Sequence, residues 1–354
     1  MYASHRDACI LSHYASLINE RLGAFYSEHS LGDMVIAYRS LGLSNYHFSA
    51  TAYRYAVQES PCAILAFDVS GFFDNLDHLL LKTRLKRLLG VESLPTDWMK
   101  VFRFVSDFHY VELDDLKKVP AFLSAMDDRC AGLICTVADL KKAEIEFRKN
   151  KKPKAGIPQG TPISAALSNL YMIDFDLRMK RFCESIGALY RRYSDDILII
   201  CGIDHAAAAE SEVLAAIRDE KLEISADKTE KVIFDVGNSS VRSLKSAQYL
   251  GFTFYPGGAG VRPGSLSRQW RKMKSAVRRT AKVAEEAIKS GKAKKAYTKK
   301  LRKRFSPLQI RNFSSYVRRS AKEFGGSQKM VKQVRRLERE FERRVRQLKA
   351  LEVP

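Results

Sequence analysis

Three stretches of the chain combine residue types and spacings that could do chemistry. In CAILAFDVSGFFDNLDH, residues 62–78, Asp68 closes an apolar run. In RRYSDDILII, residues 191–200, Asp195 and Asp196 interrupt a second one, with Leu189 and Tyr190 before them and Ile197 to Cys201 after. Charge in such surroundings is costly unless something compensates it. Carboxylates brought together repel, so the arrangement is stable only beside a cation, and Mg²⁺ prefers oxygen ligands together with substrate phosphates. Two such ions, bridging a hydroxyl nucleophile and a leaving pyrophosphate, would serve nucleotidyl transfer. The third stretch, AGIPQGTPISAALSNLYMIDFD at residues 155–176, sets Gln159 between Pro158 and Gly160. There a polar side chain and bare backbone can press against a flat ligand such as a base pair.

These residues need elements to hold them. Residues 62–67 read as a fully buried strand that delivers Asp68 to the lip of a sheet. The runs on either side of Asp195 and Asp196 read as two strands with the acids at a hairpin tip. Either acidic site alone has an ordinary explanation, since Asp favours turns and helix N-caps. Asp74 and Asp77 are read that way, with Asn75 and Asp77 opening the helix HLLLKTRLKRLL. What outweighs coincidence is the combination: two buried strands lying side by side would converge Asp68 with Asp195. The third stretch begins as a loop and becomes a helix after Pro162. Residues 91–150 read as helices joined by loops and ending in a basic stretch, with no chemistry assigned.

The chain has 354 residues, 45% of them hydrophobic, enough for a sizeable core and one to three packed units. No apolar run approaches the roughly 18 residues of a membrane helix, and the N-terminus MYASHRDACILSHYASL lacks a signal-peptide layout. A cytoplasmic protein with no membrane partner is expected. Six cysteines (Cys9, Cys62, Cys130, Cys135, Cys183, Cys201) form no CxxC pair and are expected to be reduced and mostly buried. The net charge of +21 is concentrated: residues 265–354 hold 29 Lys/Arg against 7 Asp/Glu, leaving 32 against 33 upstream. So one-signed an excess points to a polyanion partner. Met330, Val334, Leu337, Phe341, Val345 and Leu348 recur at spacings of three and four, which predicts an amphipathic helix. WRKMKSAVRRTAKVAEEAIKS predicts another, and the Gly- and Pro-rich GGAGVRPG, residues 257–264, predicts a hinge before this helical unit.

In order and content the motifs resemble those of reverse transcriptases, over about residues 30–256. FDVSGFFDNLDH resembles their first catalytic motif, GIPQGTPISAALSNLY their template- and nucleotide-contacting loop, and YSDD their YxDD box. LEISADKTEKV, residues 222–232, and YLGFTF, residues 249–254, resemble the small lysine-bearing motif and the primer grip. The resemblance implies an α+β right-hand polymerase. It would have a βαββαβ-type antiparallel palm and helical fingers within residues 1–264, and a basic helical thumb at 265–354. It implies that Asp68, Asp195 and Asp196 are catalytic and hold two Mg²⁺, for which Mn²⁺ can substitute. Phe73 would face the sugar and select deoxynucleotides, with Phe72 the neighbouring candidate, and Gln159 would contact a nucleotide. Lys228 would stabilise pyrophosphate and Arg39 cradle the triphosphate; a solvated lysine and a structurally paired arginine are the other readings of those two. Tyr249, Leu250 and Gly251 would form the primer grip.

The implied partners are dNTPs, a structured noncoding RNA template and the RNA–DNA duplex made on it. No histidine lies beyond His205 and no Asp beyond residue 264, so the downstream segment offers neither HNH nor RNase H chemistry. Only 67 residues precede Asp68, short for a group II intron enzyme, and retron signatures are missing. What remains resembles the compact bacterial branch associated with antiphage defence, the abortive-infection and unknown-group enzymes. RNA-dependent RNA synthesis, template-independent or protein-primed DNA synthesis, and a non-enzymatic RNA scaffold are the competing readings.

Overall fold

The computed structural model describes residues 3–128, 133–150, 152–237 and 246–350. At its centre is an antiparallel sheet of β1 (Cys62–Asp68), β2 (Leu189–Tyr193), β3 (Asp196–Gly202) and β4 (Glu230–Phe234), in the order β2-β3-β1-β4. The helices that position it are α1 (His5–Glu28), α2 (Asn45–Gln58), α3 (His78–Leu89), α4 (Ser164–Tyr171), α5 (Ile173–Ser185) and α6 (Ala206–Asp219). The C-terminal part adds α7 (Pro263–Lys289), α8 (Lys299–Phe305), α9 (Phe313–Glu323) and α10 (Gln328–Lys349). Strand, helices, hairpin, helix, strand is the βαββαβ palm order expected from the sequence, in an α+β fold.

Continuous apolar runs form the central strands β1 and β3 because both of their faces are covered, whereas the edge strands β2 and β4 alternate buried with more exposed positions. Successive side chains on a strand point to opposite faces. Leu65, Phe67, Ile197, Ile199 and Cys201 enter a core shared with α1 and α3–α6, while Ile64, Leu198 and Ile200 enter another, shared with α2. The second core also takes in a small antiparallel sheet of β5 (Gln248–Tyr249), β6 (Phe252–Tyr255) and β7 (Gly258–Val261). A third core joins Met273 and Val277 of α7 and Phe305 of α8 to the apolar stripe of α10. That stripe is split: Met330 and Val334 belong to the second core, Leu337, Phe341, Val345 and Leu348 to the third. One helix therefore fastens the basic C-terminal segment to the sheet region.

The hinge expected at residues 257–264 is not one. Gly258–Val261 is β7, paired with β6, and Ala259 and Val261 are buried. α10 docks onto it: Ser327 Oγ donates to the Ala259 carbonyl at 2.6 Å, and Val261 N–H to Gln333 Oε1 at 3.0 Å. A Cβ on Gly260 would sit 3.4 Å from both the Lys329 and Tyr255 side chains, so α10 and β6 pack directly over this position. Between α3 and α4 the chain forms short helices such as Thr96–Ser106 and Val137–Lys142, plus a two-residue ladder of His109–Tyr110 with Arg148–Lys149 that periodicity could not show. Cys62, Cys183 and Cys201 are buried, Cys135 is half-buried and Cys9 exposed, all as free thiols; Cys130 lies outside the described residues. Burial pushes the Cys62 and Cys183 thiols up to about 12. Among the described residues no helix is long and apolar enough to cross a membrane.

Candidate active site

β1 and β3 pair from Cys62↔Gly202 to Asp68↔Asp196, whereas β4 pairs with β1 only as far as Ala66. The end of β1 thus projects beyond β4, and β1 and β3 carry two carboxylates directly opposite each other. Cross-strand partners have Cβ atoms about 4.5–5.5 Å apart. Asp195 occupies the turn beside them, after Ser194 in the left-handed region at φ 60°, and its carbonyl accepts from Val69 N–H at 3.2 Å. The in-register partner of Asp68 is therefore Asp196, with Asp195 displaced to the tip.

The crowding shows at Asp196. Asp196 faces the open cleft, yet the surrounding protein and the charges of Asp195 and Asp68 push it up to about 6, opposed by Arg262 and Lys228. Asp68 is mostly covered; one of its oxygens, Oδ2, accepts from Lys228 Nζ at 2.7 Å and from Ser225 Oγ at 3.0 Å. The hydrogen bond and charge of Asp68 in turn raise the Lys228 ammonium. Lys228 is thus neither isolated nor simply solvated. It reaches the acids because a turn of 3-10 helix, Ala226–Lys228, follows Ser225, whose N–H binds the Asp68 carbonyl at 2.7 Å.

A cleft of about 320 Å³ opens over these groups, bounded by Asp68, Asp196, Lys228, Arg262 and the 248–251 turn. In that turn Leu250 and Gly251 have φ of 45° and 89°, while the Tyr249 ring is buried and only lends the cleft its edge. A larger groove, about 840 Å³, lies away from Asp68 and Asp196 and is lined by Trp270, five cations from Lys332 to Arg343 and one acid, Glu340, which pairs with Arg343. Leu266, Lys274 and Gln333 connect with it at Trp270 and Arg336, and α7 itself starts beside Arg262. Open and cationic, it suits a polyanion backbone better than an enclosed small ligand.

The other predicted residues do not line this cleft. Phe72 is buried and Phe73 half-buried, edge-on at 5.4 Å, so Phe73 is the one available to a ligand. The Phe73 carbonyl accepts from Ile157 N–H at 2.9 Å and that of Leu76 from Gly156 N–H at 2.8 Å, which pins the PQG loop to the segment following Asp68. Gly156 has φ 87°, and a Cβ there would lie 2.8 Å from the Asp74 carbonyl oxygen, so only glycine permits the approach. Gln159 is exposed on this loop, just past buried Pro158. Arg39 turns inward: Nη1 donates to the carbonyls of Gly32 at 2.6 Å and Val35 at 2.7 Å, and the guanidinium lies 4.7 Å from the Tyr26 ring centroid. Burial lowers its pKa. Asp77 accepts from Leu80 N–H at 2.9 Å as the N-cap of α3, the capping role expected of it. Sequence reasoning missed Arg262, hidden in the apparent hinge, and Ser225; neither has a spacing signal.

The cleft carries donors of the kind a divalent cation takes. Among the described residues no group of three or more His, Cys, Asp or Glu side chains is gathered around one point. Two facing carboxylates with a third beside them do supply hard oxygen donors. The upward displacement of Asp196 is the penalty a cation would relieve, and the Lys228 ammonium already sits on Asp68 as a cation would. The residues fit such an ion, with room in the cleft for substrate oxygens to complete its shell.

Two solved structures resemble the fold. Apo telomerase from Candida tropicalis aligns at 14% identity and TM-score 0.44, over 70% of this chain and 39% of that one. Telomerase from Candida albicans, in complex with the TWJ fragment of telomeric RNA, aligns at 14% identity and TM-score 0.43, over 72% of this chain and 38% of that one. The chain thus spans about two fifths of the length of these structures. Residues 8–254, which include β1, the hairpin bearing Asp195 and Asp196, the PQG loop and the 248–251 turn, match the model of the reverse transcriptase (RNA-dependent DNA polymerase) family, and the chain belongs to that family.

Proposed function

We propose that the protein synthesises DNA from deoxynucleoside triphosphates on an RNA template. The observation that carries this reading is the Asp68↔Asp196 register pair, with Asp195 at the adjoining turn, opening onto a cleft edged by Lys228 and Arg262. Asp68, Asp195 and Asp196 would hold two Mg²⁺, or Mn²⁺ in their place; once bound, these ions supply Lewis-acid activation of the attacking hydroxyl and charge neutralisation on the leaving pyrophosphate. Lys228, displaced from Asp68, reaches the triphosphate. Phe73, held against the PQG loop, limits the space at the sugar, and Gln159 meets the nucleotide from that loop. Tyr249, Leu250 and Gly251 present a turn to the primer end, with the ring of Tyr249 anchoring it in the core. Arg39, occupied by two carbonyls and a tyrosine ring, is assigned to holding its own loop. The cationic groove between α7 and α10 takes the template–primer backbone. The motif resemblance to the defence-associated branch supports a dedicated structured noncoding RNA as template and a role in antiphage defence.

The test is primer extension on RNA with Mg²⁺, supplying dNTPs or NTPs separately, with and without co-expressed neighbouring noncoding RNA. Incorporation of dNTPs is expected, falling about 1,000-fold or more in Asp195→Asn, because losing a carboxylate ligand forfeits several kcal/mol of charge stabilisation. Phe73→Val is expected to admit NTPs. Preferential use of NTPs by the wild type would instead indicate an RNA polymerase, and synthesis without template the abortive-infection mode. No synthesis under any condition would leave an RNA scaffold.

A further inference from the structure

The hairpin bearing Asp195 and Asp196 is braced from behind by a side chain that meets neither cleft nor solvent. Arg192 on β2 and Asp176 on α5 both have 0% side-chain exposure. Nε and Nη2 of Arg192 donate to the two Asp176 oxygens at 2.7 and 2.6 Å, and Tyr190 Oη donates to Asp176 Oδ1 at 2.6 Å. The remaining nitrogen, Nη1, donates to the Ser194 carbonyl at 3.1 Å and to Asn169 Oδ1 at 3.2 Å. Asn169, on the helix that continues the PQG loop, donates from Nδ2 to the Ala37 carbonyl at 2.9 Å. The Arg192 backbone binds the same segment, its N–H to Met34 O at 2.8 Å and its carbonyl to Ile36 N–H at 3.1 Å.

A buried ion pair rarely stabilises a fold more than apolar side chains of equal volume would, so its presence calls for another explanation. Geometry provides one. A bidentate fork on Asp176 admits one guanidinium orientation, and that orientation aims Nη1 at the turn. The Ser194 carbonyl shares a rigid peptide plane with the nitrogen of Asp195, so fixing its oxygen fixes the direction in which Asp195 leaves the turn. Ser194 is itself left-handed, a state that persists where surroundings over-determine it.

We propose that Arg192, braced by Asp176 and Asn169, is a positioning residue for the catalytic hairpin: it sets where Asp195 and Asp196 present their carboxylates and keys that placement to the helix behind the PQG loop. The inference rests on the polymerase reading above. Arg192→Ala and Asp176→Ala would strand a buried charge and fail to fold, so the informative variants are Arg192→Lys and Asn169→Ala. The first keeps a charge for Asp176 but cannot span Asp176, Asn169 and the turn together; the second leaves the ion pair whole. Thermal melts establish folding, an electron paramagnetic resonance titration with Mn²⁺ alone reads the carboxylates, and primer extension at varied Mg²⁺ reads turnover. The expected result is a cooperative melt, weaker Mn²⁺ binding, a raised Mg²⁺ half-saturation and kcat lowered about 10- to 100-fold, with KM for primer–template unchanged. Folded variants with wild-type Mn²⁺ binding and Mg²⁺ requirement would overturn it. So would a defect confined to the melting temperature, with full turnover restored below it. Because the Mn²⁺ titration needs no DNA synthesis, it decides the brace separately from the polymerase reading.

Discussion

At the scale of single residues, the cleft stores an electrostatic conflict that can be measured without substrate. Asp196 is pushed up to about 6 from an ordinary carboxylate value of 3.8, because the surrounding protein desolvates its charge and, secondarily, Asp195 and Asp68 repel it. A carboxyl raised by folding helps the folded state fully below the unfolded value, and that help is lost as pH rises through the folded one. Above pH 6 the ionised Asp196 therefore costs stability. With divalent ions chelated, Asp196→Asn should be more stable than the wild type at pH 7.5 by about 1 kcal/mol, after allowing for solvent screening of an exposed group. The gain should vanish below about pH 4. Denaturant titrations at the two pH values check this, and equal midpoints at pH 7.5 would mean that neither burial nor the neighbouring acids penalise the ionised Asp196.

Secondary-structure elements are tied together by a second buried network, on the α3–α6 side of the sheet. Arg84 of α3 donates to Glu220, just past α6, through Nη2 at 2.9 Å and through Nη1, and its Nε reaches Asp174 of α5 at 2.9 Å. Tyr171, closing α4, donates to the Glu220 carbonyl at 2.6 Å and accepts from Asp77 N–H at 3.2 Å. Four helix ends meet here, and the chain leaving this point runs through Ser225 to Lys228. Arg84 and Glu220 have only 7% and 5% side-chain exposure, so removing one leaves the other's charge stranded. Glu220→Ala is expected to cost about 3–5 kcal/mol of stability. Equilibrium unfolding measures it, and a loss below about 1 kcal/mol would show that water replaces the partner. None of this was legible beforehand: Arg84 and Glu220 look like ordinary helix-surface charges in sequence, because the partner that makes each tolerable is 136 residues away.

Taken as a whole, the molecule keeps its positive excess on the outer faces of α7 and α10 while their apolar stripes face inward. If the groove between them carries a nucleic-acid backbone, binding must weaken steeply with salt as counterions are released. Replacing both Arg336 and Arg339 with Gln should lower affinity for an RNA–DNA duplex and reduce the slope of log K against log salt by about 0.9 for each phosphate no longer neutralised. Fluorescence anisotropy across a salt series measures both, and an unchanged slope would move the duplex to another face. The apolar stripe of α10 was readable from spacing alone. That it divides between two cores was not, because Met330 and Leu337 obey the same period and only the packing of β7 and α7 tells them apart.

What the sequence determined by itself was whatever depends on local order. Buried strands announced themselves as unbroken apolar runs, the acids as interruptions of those runs, and the C-terminal helices as a period between three and four. The family motifs added the identity of the residues that belong together. Tertiary structure alone decided what depends on distant partners. It set Asp68 opposite Asp196 rather than Asp195, because register is fixed by the two cores on either side of the sheet. It turned a Gly- and Pro-rich stretch into a paired strand, because β6 supplies ladder partners and α10 supplies Ser327 and Gln333 to bond its backbone. It also brought Lys228 to Asp68 and Arg192 to Asp176, since charges are held inside a protein by partners that the fold supplies and that sequence neighbours cannot reveal.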